Sequence, residues 1–134
     1  MAYGFQFDKK DIVQVKDDTV IFLGGEAVFF ILDENIIPCL RLLLKREIKI
    51  KKVTVDMGAV QFIVKGADIM RPGIVGIDDR IGKGEVIKVV DVNNGKPLCV
   101  GRALFATEEM KGLNSGKVIK NLHYVGDEIW SFKG

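Results

Sequence analysis

The sequence has few side chains that could act as an acid, a base or a nucleophile. His123 is the single histidine, and Cys39 and Cys99 are the two cysteines. A histidine titrates near neutrality and could serve as a general base, but a position inside a predicted strand favours a structural or surface histidine. No CxxC or HExxH spacing indicates a zinc site, and no GxxxxGK[ST] pattern indicates a P-loop. We therefore predict a protein that is not an enzyme and has no catalytic residues, metal site or cofactor.

A glycine-containing loop is the strongest sign of a binding function. Residues 66–74 read Gly-Ala-Asp-Ile-Met-Arg-Pro-Gly-Ile. Glycine has no Cβ, so another backbone, including a phosphodiester chain, can approach closely. Lys65 and Arg71 would supply positive charge beside it. The alternative is a turn whose glycines serve backbone geometry only, and the residues taken alone favour this alternative slightly.

Composition indicates a folded protein whose charge does not reveal its partner. The 134 residues are 48% apolar and 28% charged, and the net charge is only +2. Residues 1–50 carry seven cations and eight anions, whereas residues 51–134 carry thirteen and ten, so the basic excess lies in the second part. The well-separated cysteines and the lack of a signal-peptide pattern predict a cytoplasmic protein.

The first fifty residues predict a small mixed α+β module. Two β-type runs, Thr19–Leu23 and Glu26–Leu32, flank a glycine pair at 24 and 25 and indicate a hairpin. A short helix is predicted over Pro38–Arg46, with proline in its first turn and leucines along one side.

The remaining residues predict a small, mostly β barrel. A strand over Lys52–Asp56 precedes a helix over Met57–Lys65, with Asp56 as N-cap and Gly66 as the terminating residue. Arg71–Ile74 then has the pattern of a type II turn, which requires positive φ at Gly73. Five further strands are predicted at Ile74–Ile77, Glu85–Val92, Lys96–Ala106, Gly116–Tyr124 and Glu128–Phe132.

Three blocks of this second part resemble the PUA domain, the module of pseudouridine synthases and archaeosine transglycosylases. They are residues 53–74, residues 97–105 with the sequence Pro-Leu-Cys-Val-Gly-Arg-Ala-Leu-Phe, and residues 116–130 with Asn-Leu-His-Tyr-Val-Gly-Asp and Trp130. Their order and spacing also agree with that family. The resemblance implies a PUA pseudo-barrel over residues 51–134. We assign Trp130 to the core of this barrel, and not to base stacking, because it lies at an apolar strand end.

The upstream part resembles the malignant T-cell-amplified-sequence family. Gly25–Leu44, with its Phe-Phe pair and a proline-led leucine helix, is similar to the module that precedes the PUA domain there. By this resemblance, residues 1–50 are a pre-PUA-like module that is shorter at its N-terminus than in other family members. The compact, glycine- and lysine-rich sequence suggests an archaeal version. The resemblance implies a role in translation: contact with tRNA or the rRNA of the small ribosomal subunit, and a protein partner similar to density-regulated protein.

The resemblance also implies an RNA surface, and the function follows from it. We predict an RNA-binding adaptor of the translation apparatus. The alternative is an accessory subunit that positions tRNA for an RNA-modifying enzyme of the archaeosine transglycosylase or pseudouridine synthase type. The predicted RNA-binding residues are Lys65, Gly66, Ala67, Arg71, Pro72, Gly73, Gly116, Lys117, Lys120 and Tyr124.

Overall fold

The computed structural model describes residues 13–16, 20–46 and 48–131, and these residues form two compact units. The first unit contains the described residues before Ile50 together with Gly126–Ser131, and the second contains Ile50–Val125. The chain therefore leaves the first unit, builds the second and returns to the first. The predicted division into a pre-PUA-like module over residues 1–50 and a PUA domain over residues 51–134 stays a prediction. None of the helices in the described ranges is long and apolar enough to cross a membrane.

The first unit contains an antiparallel four-stranded sheet. Its strands are β1 (Val13–Lys16), β2 (Val20–Leu23), β3 (Glu26–Leu32) and β4 (Asn35–Pro38), and neighbours in the chain are neighbours in the sheet. The meander follows from short connections, because antiparallel strands can be joined by two-residue turns.

Two tight turns connect the last three of these strands. Gly24 and Gly25 have φ of 59° and 85° and join β2 to β3, which confirms the predicted hairpin. Asp33 and Glu34 join β3 to β4 with φ of 49° and 65°. The sequence does not predict this second hairpin, because two carboxylate residues lack the glycine that usually indicates positive φ in a turn.

Helix α1 (Leu40–Lys45) is shorter than predicted. Pro38 pairs with β3 as the last residue of β4, and Arg46 is extended, so neither belongs to the helix. Leu42 of the helix packs with Val28 and Phe29 of β3, and these three buried side chains form a core cluster of the first unit. The leucine stripe of the sequence therefore serves the predicted purpose over a shorter span.

The predicted closing strand over residues 128–132 is wrong, and so is the assignment of Trp130 to the barrel core. Residues 127–131 form turns, with Asp127 Oδ1 accepting the N–H of Trp130 at 2.8 Å and Gly126 at a φ of 91°. Arg41 Cζ lies 3.9 Å from the centroid of the Trp130 ring, within the first unit. A positive-φ glycine and a local carboxylate cap favour a turn over a strand. Phe132 lies outside the described residues.

The second unit combines a six-stranded sheet with two helices and a single 3₁₀ turn. Its elements in chain order are β5 (Lys52–Val55), α2 (Met57–Ile63), β6 (Ile69–Met70), the 3₁₀ turn (Arg71–Gly73), β7 (Ile74–Ile77), β8 (Val86–Asp91), β9 (Pro97–Ala103), α3 (Thr107–Gly112) and β10 (Lys117–Tyr124). The sheet order is β6-β10-β9-β8-β5-β7, and β5 pairs with β8 in parallel while the other neighbours are antiparallel.

An aliphatic core covers one face of this sheet. Val53, Ile87, Ala103 and Ile119 belong to it, and each has no exposed surface. Val53, Ile87 and Ala103 alternate with half-buried or exposed neighbours along their strands, as expected for side chains that face a core. The alternation is incomplete, because Val100 and Val118 are also fully buried. His123 is fully buried as well.

Helix α2 has the predicted N-cap and the predicted glycine terminus, although it is shorter than the predicted span Met57–Lys65. Asp56 Oδ1 accepts the N–H of Ala59 at 2.9 Å and caps the N-terminus. At the other end Gly66 has a φ of 98°, its N–H donates to Ile63 O at 3.0 Å, and the N–H of Ala67 donates to Phe62 O at 3.1 Å. This pair of bonds is the Schellman motif, which favours glycine at the left-handed position.

The turn at Arg71–Gly73 is a 3₁₀ helix and not the predicted type II turn. The N–H of Ile74 donates to Arg71 O, and Gly73 does not have positive φ. Gly73 is required for a different reason: a Cβ built on it would lie 3.0 Å from the Cβ of Ala59. Close packing of the turn against helix α2 therefore explains why residue 73 is a glycine, and a type II turn does not.

Candidate nucleic-acid interface

A groove of about 780 Å³ lies beside helix α2 in the second unit. Its wall combines the helix, strand β6, the 3₁₀ turn and the start of β10. The lining residues are Asp56, Gly58, Ala59, Phe62, Ile63, Ala67, Asp68, Ile69, Met70, Pro72, Gly73 and Lys117. The lining is mainly apolar, and its charged members are Asp56, Asp68 and Lys117.

Two large hydrophobic side chains stand exposed at this groove. Phe62 is 58% exposed and Met70 is 50% exposed, and Pro72 beside them is also exposed. Exposed aromatic and thioether side chains next to each other are costly in water unless a ligand covers them. A flat ring such as a nucleobase can stack on the phenyl face of Phe62, while Met70 adapts its shape to the contact.

Asp68 organises the polar side of the groove. Its Oδ1 accepts the backbone N–H of Asn121 at 2.8 Å, and its Oδ2 lies 3.4 Å from Lys117 Nζ. Asp56 contributes a second carboxylate, so the groove lining carries two acids and one base. This balance disfavours a phosphate in the middle of the groove. It favours the hydrogen-bond donors of a base edge, with phosphates confined to the rim near Lys117.

Asn121 fixes the loop that follows helix α2. Its Nδ2 donates to Ile63 O at 3.2 Å and to Ala67 O at 3.0 Å, so strand β10 holds two carbonyls at the end of the helix. Among the described residues, its buried Oδ1 has no hydrogen-bond partner. The sequence gives no signal for this role, because an asparagine in a strand shows nothing about a loop more than fifty residues earlier, at a separation of 54.

Several predicted site residues meet at the groove. Ala67, Pro72, Gly73 and Lys117 line it, and Lys65 is exposed at the end of the α2 turn. Phe62 and Asp68 were missed by the sequence reasoning. The apolar Phe62 was missed because a phenylalanine on a helix usually belongs to the core.

Gly66 and Tyr124 are predicted site residues that contact each other. A Cβ on Gly66 would lie 2.8 Å from Tyr124 Cε1, so the tyrosine ring covers the glycine. The close approach that a glycine permits at this position is therefore used by a side chain of the protein itself.

Arg71 is placed away from the groove. Its Nε donates to Met110 O at 2.6 Å and its Nη1 donates to Ile74 O at 3.3 Å, so the guanidinium joins the 3₁₀ turn to helix α3. Its backbone N–H donates to the carbonyl of Gly116 at 2.8 Å, and Gly116 itself has a φ of 88°. These bonds give both residues a clear structural role.

The thiols are unsuited to chemistry in the folded protein. Burial raises the pKa of the Cys39 thiol to about 12, and burial also raises the pKa of Cys99. A thiolate is the nucleophile and the metal ligand, so protonated buried thiols are inert. In the described part of the chain, no group of three or more His, Cys, Asp or Glu side chains is placed to hold a metal ion.

Comparison with known proteins gives a consistent relationship. The family model described as PUA domain matches residues 51–125. An uncharacterized protein of Methanocaldococcus jannaschii is 48% identical over 92% of this chain and 76% of its own length. Translation machinery-associated protein 20 of Schizosaccharomyces pombe is 36% identical over 91% of this chain and 72% of its own. Malignant T-cell-amplified sequence 1 of Rattus norvegicus is 33% identical, with coverages of 93% and 73%.

Solved structures resemble the chain as well. A conserved PUA domain protein from Thermoplasma acidophilum is 32% identical, covers 95% of this chain and 84% of its own, and superimposes with a TM-score of 0.81. An H/ACA ribonucleoprotein bound to a substrate RNA matches 72% of this chain and 29% of its own, at 21% identity and a TM-score of 0.57, which is a likeness of fold alone.

Proposed function

The chain belongs to the PUA-domain family and is related to translation machinery-associated protein 20 and the malignant T-cell-amplified sequence proteins, and from this premise we propose that it binds an unpaired RNA end during translation. The resemblance inferred from the sequence is confirmed by these matches, and so is the mostly β pseudo-barrel of the second part. The α+β first unit as a pre-PUA module remains part of the proposal.

The exposed Phe62 at the groove carries the proposal. Unpaired bases stack on aromatic side chains, and each such contact contributes about 1–3 kcal/mol. The groove offers Phe62 and Met70 for stacking, while the carboxylate of Asp68 can accept a hydrogen bond from an exocyclic amino group. A base therefore enters the groove, and the phosphates that flank it remain at the rim.

Lysines supply the charge at that rim. Lys117 lines the groove, and Lys65 is exposed two residues before Ala67, which also lines it, whereas Lys120 is exposed on β10 and does not line the groove. Each neutralised phosphate makes binding more sensitive to salt, and a few contacts give modest affinity. Arg71 does not belong to this set in our proposal, because its donors already bind carbonyls of the protein.

The RNA is proposed to be tRNA or small-subunit rRNA, with the cytoplasm as the place of action. The relationship to translation machinery-associated protein 20, at 36% identity, supports a translation role. A protein partner similar to density-regulated protein remains a prediction. The alternative of a tRNA-positioning subunit of a modifying enzyme has support only from a likeness of fold, so we do not adopt it.

Binding of a tRNA with an intact unpaired 3′ end tests this function. Phe62→Ala should lower affinity by roughly 5-fold to 150-fold, which corresponds to about 1–3 kcal/mol, and a tRNA without the 3′ overhang should bind wild type comparably weakly. Met57→Ala is the matched control, because Met57 is on the same helix and 45% exposed but does not line the groove. Equal affinity of the Phe62→Ala variant and wild type would refute the groove as the site.

A further inference from the structure

Two pairs of cationic side chains lie directly opposite each other on neighbouring strands of the sheet in the second unit. Lys120 of β10 lies opposite Arg102 of β9, and Lys52 of β5 lies opposite Lys88 of β8. Residues that are directly opposite in neighbouring strands project from the same face and come within contact distance. The sheet therefore contains two like-charge pairs.

Both pairs lie on the same face. Arg102 is also opposite Val86, and Val86 and Lys88 are two residues apart on β8, so they share a face. The residues next in sequence, such as Val53, Ile87 and Ile119, point into the core. The four cations thus form a row on the other face, along the successive strands β5, β8, β9 and β10. We call Lys52, Lys88, Arg102 and Lys120 the outer-face row.

No member of the outer-face row forms a side-chain ion pair in the described ranges, although one acid, Asp78, lies beside Lys52 at the end of the row, where its Oδ2 accepts the backbone N–H of Lys52 at 2.8 Å. The ion pairs there involve Lys45, Lys51, Lys111 and Lys117, and none involves a member of the row. Arg102 Nη1 donates to the carbonyl of Gly84 at 2.8 Å and keeps its charge. Lys52 and Lys120 are exposed.

Folding alone does not account for this arrangement. Like charges directly opposite in a sheet destabilise it, whereas opposite charges would stabilise it. Two such pairs in adjacent positions lower stability without any compensating bond between them. An anionic ligand along the row would offset that repulsion.

The dimensions of the row fit a nucleic-acid backbone. Four strands spaced by about 4.8 Å span about 14 Å, and the two-residue step between Lys88, which is opposite Val100, and Arg102, which is opposite Val86, adds about 7 Å along the strands, so the ends of the row are about 16 Å apart. At ~3.4 Å of axis per phosphate of one strand, this length corresponds to about five phosphates. A linear run of cations without interspersed acids matches the linear charge of a phosphodiester chain better than the discrete charges of a folded protein.

We propose that the outer-face row is a second RNA contact, which binds the phosphate backbone of a helical stem. It rests on the proposed function in one respect, namely that RNA is the ligand of the groove. The groove holds an unpaired end, and the row holds the stem from which that end extends. Lys120 is three residues from Lys117 on β10, so one strand contributes to both contacts.

The test compares two RNAs and two sets of variants. The RNAs are a hairpin with an unpaired 3′ tail and the tail as a separate oligonucleotide. The row variant is Lys52→Gln/Lys88→Gln/Lys120→Gln, which retains Arg102. The control variant, Lys83→Gln/Lys96→Gln/Lys111→Gln, removes the same charge from exposed positions of the same unit. Affinity is measured over a series of salt concentrations.

We expect the row variant to lose about tenfold or more in affinity for the hairpin at low salt. Its log–log salt slope should become shallower by about 2–3, at ~0.9 per phosphate contact. Tail binding should stay close to that of wild type, and the control variant should keep the steep slope. Equal behaviour of the two variants on the hairpin, or equal loss on hairpin and tail, would overturn the proposal.

Stability supplies an independent readout. Lys88→Glu places a negative charge directly opposite Lys52. The substitution should therefore raise the melting temperature, and it should lower the affinity for the hairpin more than Lys88→Gln does. Parallel loss of stability and binding would assign the row a structural role and overturn the proposal. Competition by polyglutamate as effective as by hairpin would assign it to an acidic protein and overturn it too.

The experiments distinguish a failure of the groove proposal from a failure of the outer-face row proposal. If Phe62→Ala weakens tail binding but the row variant changes nothing, the groove function stands and the row falls. If wild type binds neither RNA, both proposals fall.

Discussion

Gly73 illustrates how a missing side chain can position a binding surface. The glycine lines the groove, and the space that its Cβ would need is occupied by Ala59 of helix α2, at 3.0 Å. The 3₁₀ turn can therefore lie directly against the helix. This contact sets the width of the groove between Phe62 on the helix and Pro72 on the turn.

We predict that Gly73→Ala lowers the free energy of unfolding by about 1–3 kcal/mol, because the added methyl group overpacks the contact with Ala59. Urea unfolding measures the change. Gly112→Ala is the control: no atom lies within 4 Å of its added Cβ, so it should cost nothing or stabilise α3 slightly. Adding Ala59→Gly should recover part of the loss as a coupling energy in a double-mutant cycle. A Gly73→Ala variant as stable as wild type would contradict this account.

The residue types of the candidate site were partly predictable from the sequence. The glycines and proline drew attention to the loop that contains Ala67, Pro72 and Gly73, but its role as an RNA surface came from the family resemblance; these three residues do line the groove, and their contact with RNA stays a prediction. The exposure of Phe62 and the engagement of Arg71 by Met110 O were not predictable. Both depend on what lies beside the residue in space, and neither periodicity nor turn chemistry contains that information.

At the scale of elements, hydrogen bonds join strand β10 to the C-terminal end of helix α2. Asn121 donates to Ile63 O and Ala67 O, and its backbone N–H donates to Asp68. The Schellman motif closes the helix from the inside, and Asn121 holds the same carbonyl end from the outside. The rim of the groove is thereby fixed to strand β10, which pairs with both β6 and β9.

We predict that Asn121→Ala loosens this rim. The loss of two side-chain hydrogen bonds, a partly buried one to Ile63 O and an exposed one to Ala67 O, should lower stability by about 1–3 kcal/mol. Amide hydrogen exchange should accelerate over residues 66–70 more than in β8 and β9. Asn114→Ala, at an exposed position outside the groove lining, should leave exchange unchanged. If exchange over residues 66–70 were the same in both variants, Asn121 would not be what orders the loop.

Local signals predicted most of the elements, and long-range packing explains the errors. The Asp56 cap, the Gly66 terminus and the hairpin at Gly24 and Gly25 follow from local chemistry and are all observed. The turn at Asp33–Glu34 is held by sheet pairing that carboxylate residues do not indicate. Trp130 was misplaced because its partner, Arg41, is 89 residues away in sequence.

At the scale of the whole chain, the first unit is discontinuous. Arg41 Nε and Nη2 donate to the carbonyl of Trp130 at 3.3 Å and 3.1 Å, and the guanidinium stacks on the indole ring. A cation–π contact of this kind contributes about 0.5–2 kcal/mol. The last described residues are therefore part of the stability of the first unit.

We predict that a chain ended after Val125 retains the second unit and loosens the first. Amide protection in β3 and α1 should fall, while β8 and β9 should keep their protection. Arg41→Ala in the full chain should reproduce part of this loss, because it removes the same stacking and hydrogen bonds. Uniform loss of protection in both units would show that the segment after Val125 supports the whole molecule.

The discontinuity of the first unit reverses the order in which a nascent chain can complete its parts. The first unit starts to emerge before the second, yet Arg41 must wait for Trp130, which is 89 residues later. At roughly 5–20 residues per second, this interval lasts about 4–18 s. During it, all residues of the PUA barrel emerge and can pair. The first unit is thus synthesised first but completed last. Until Trp130 has emerged, chaperones can bind the incomplete first unit.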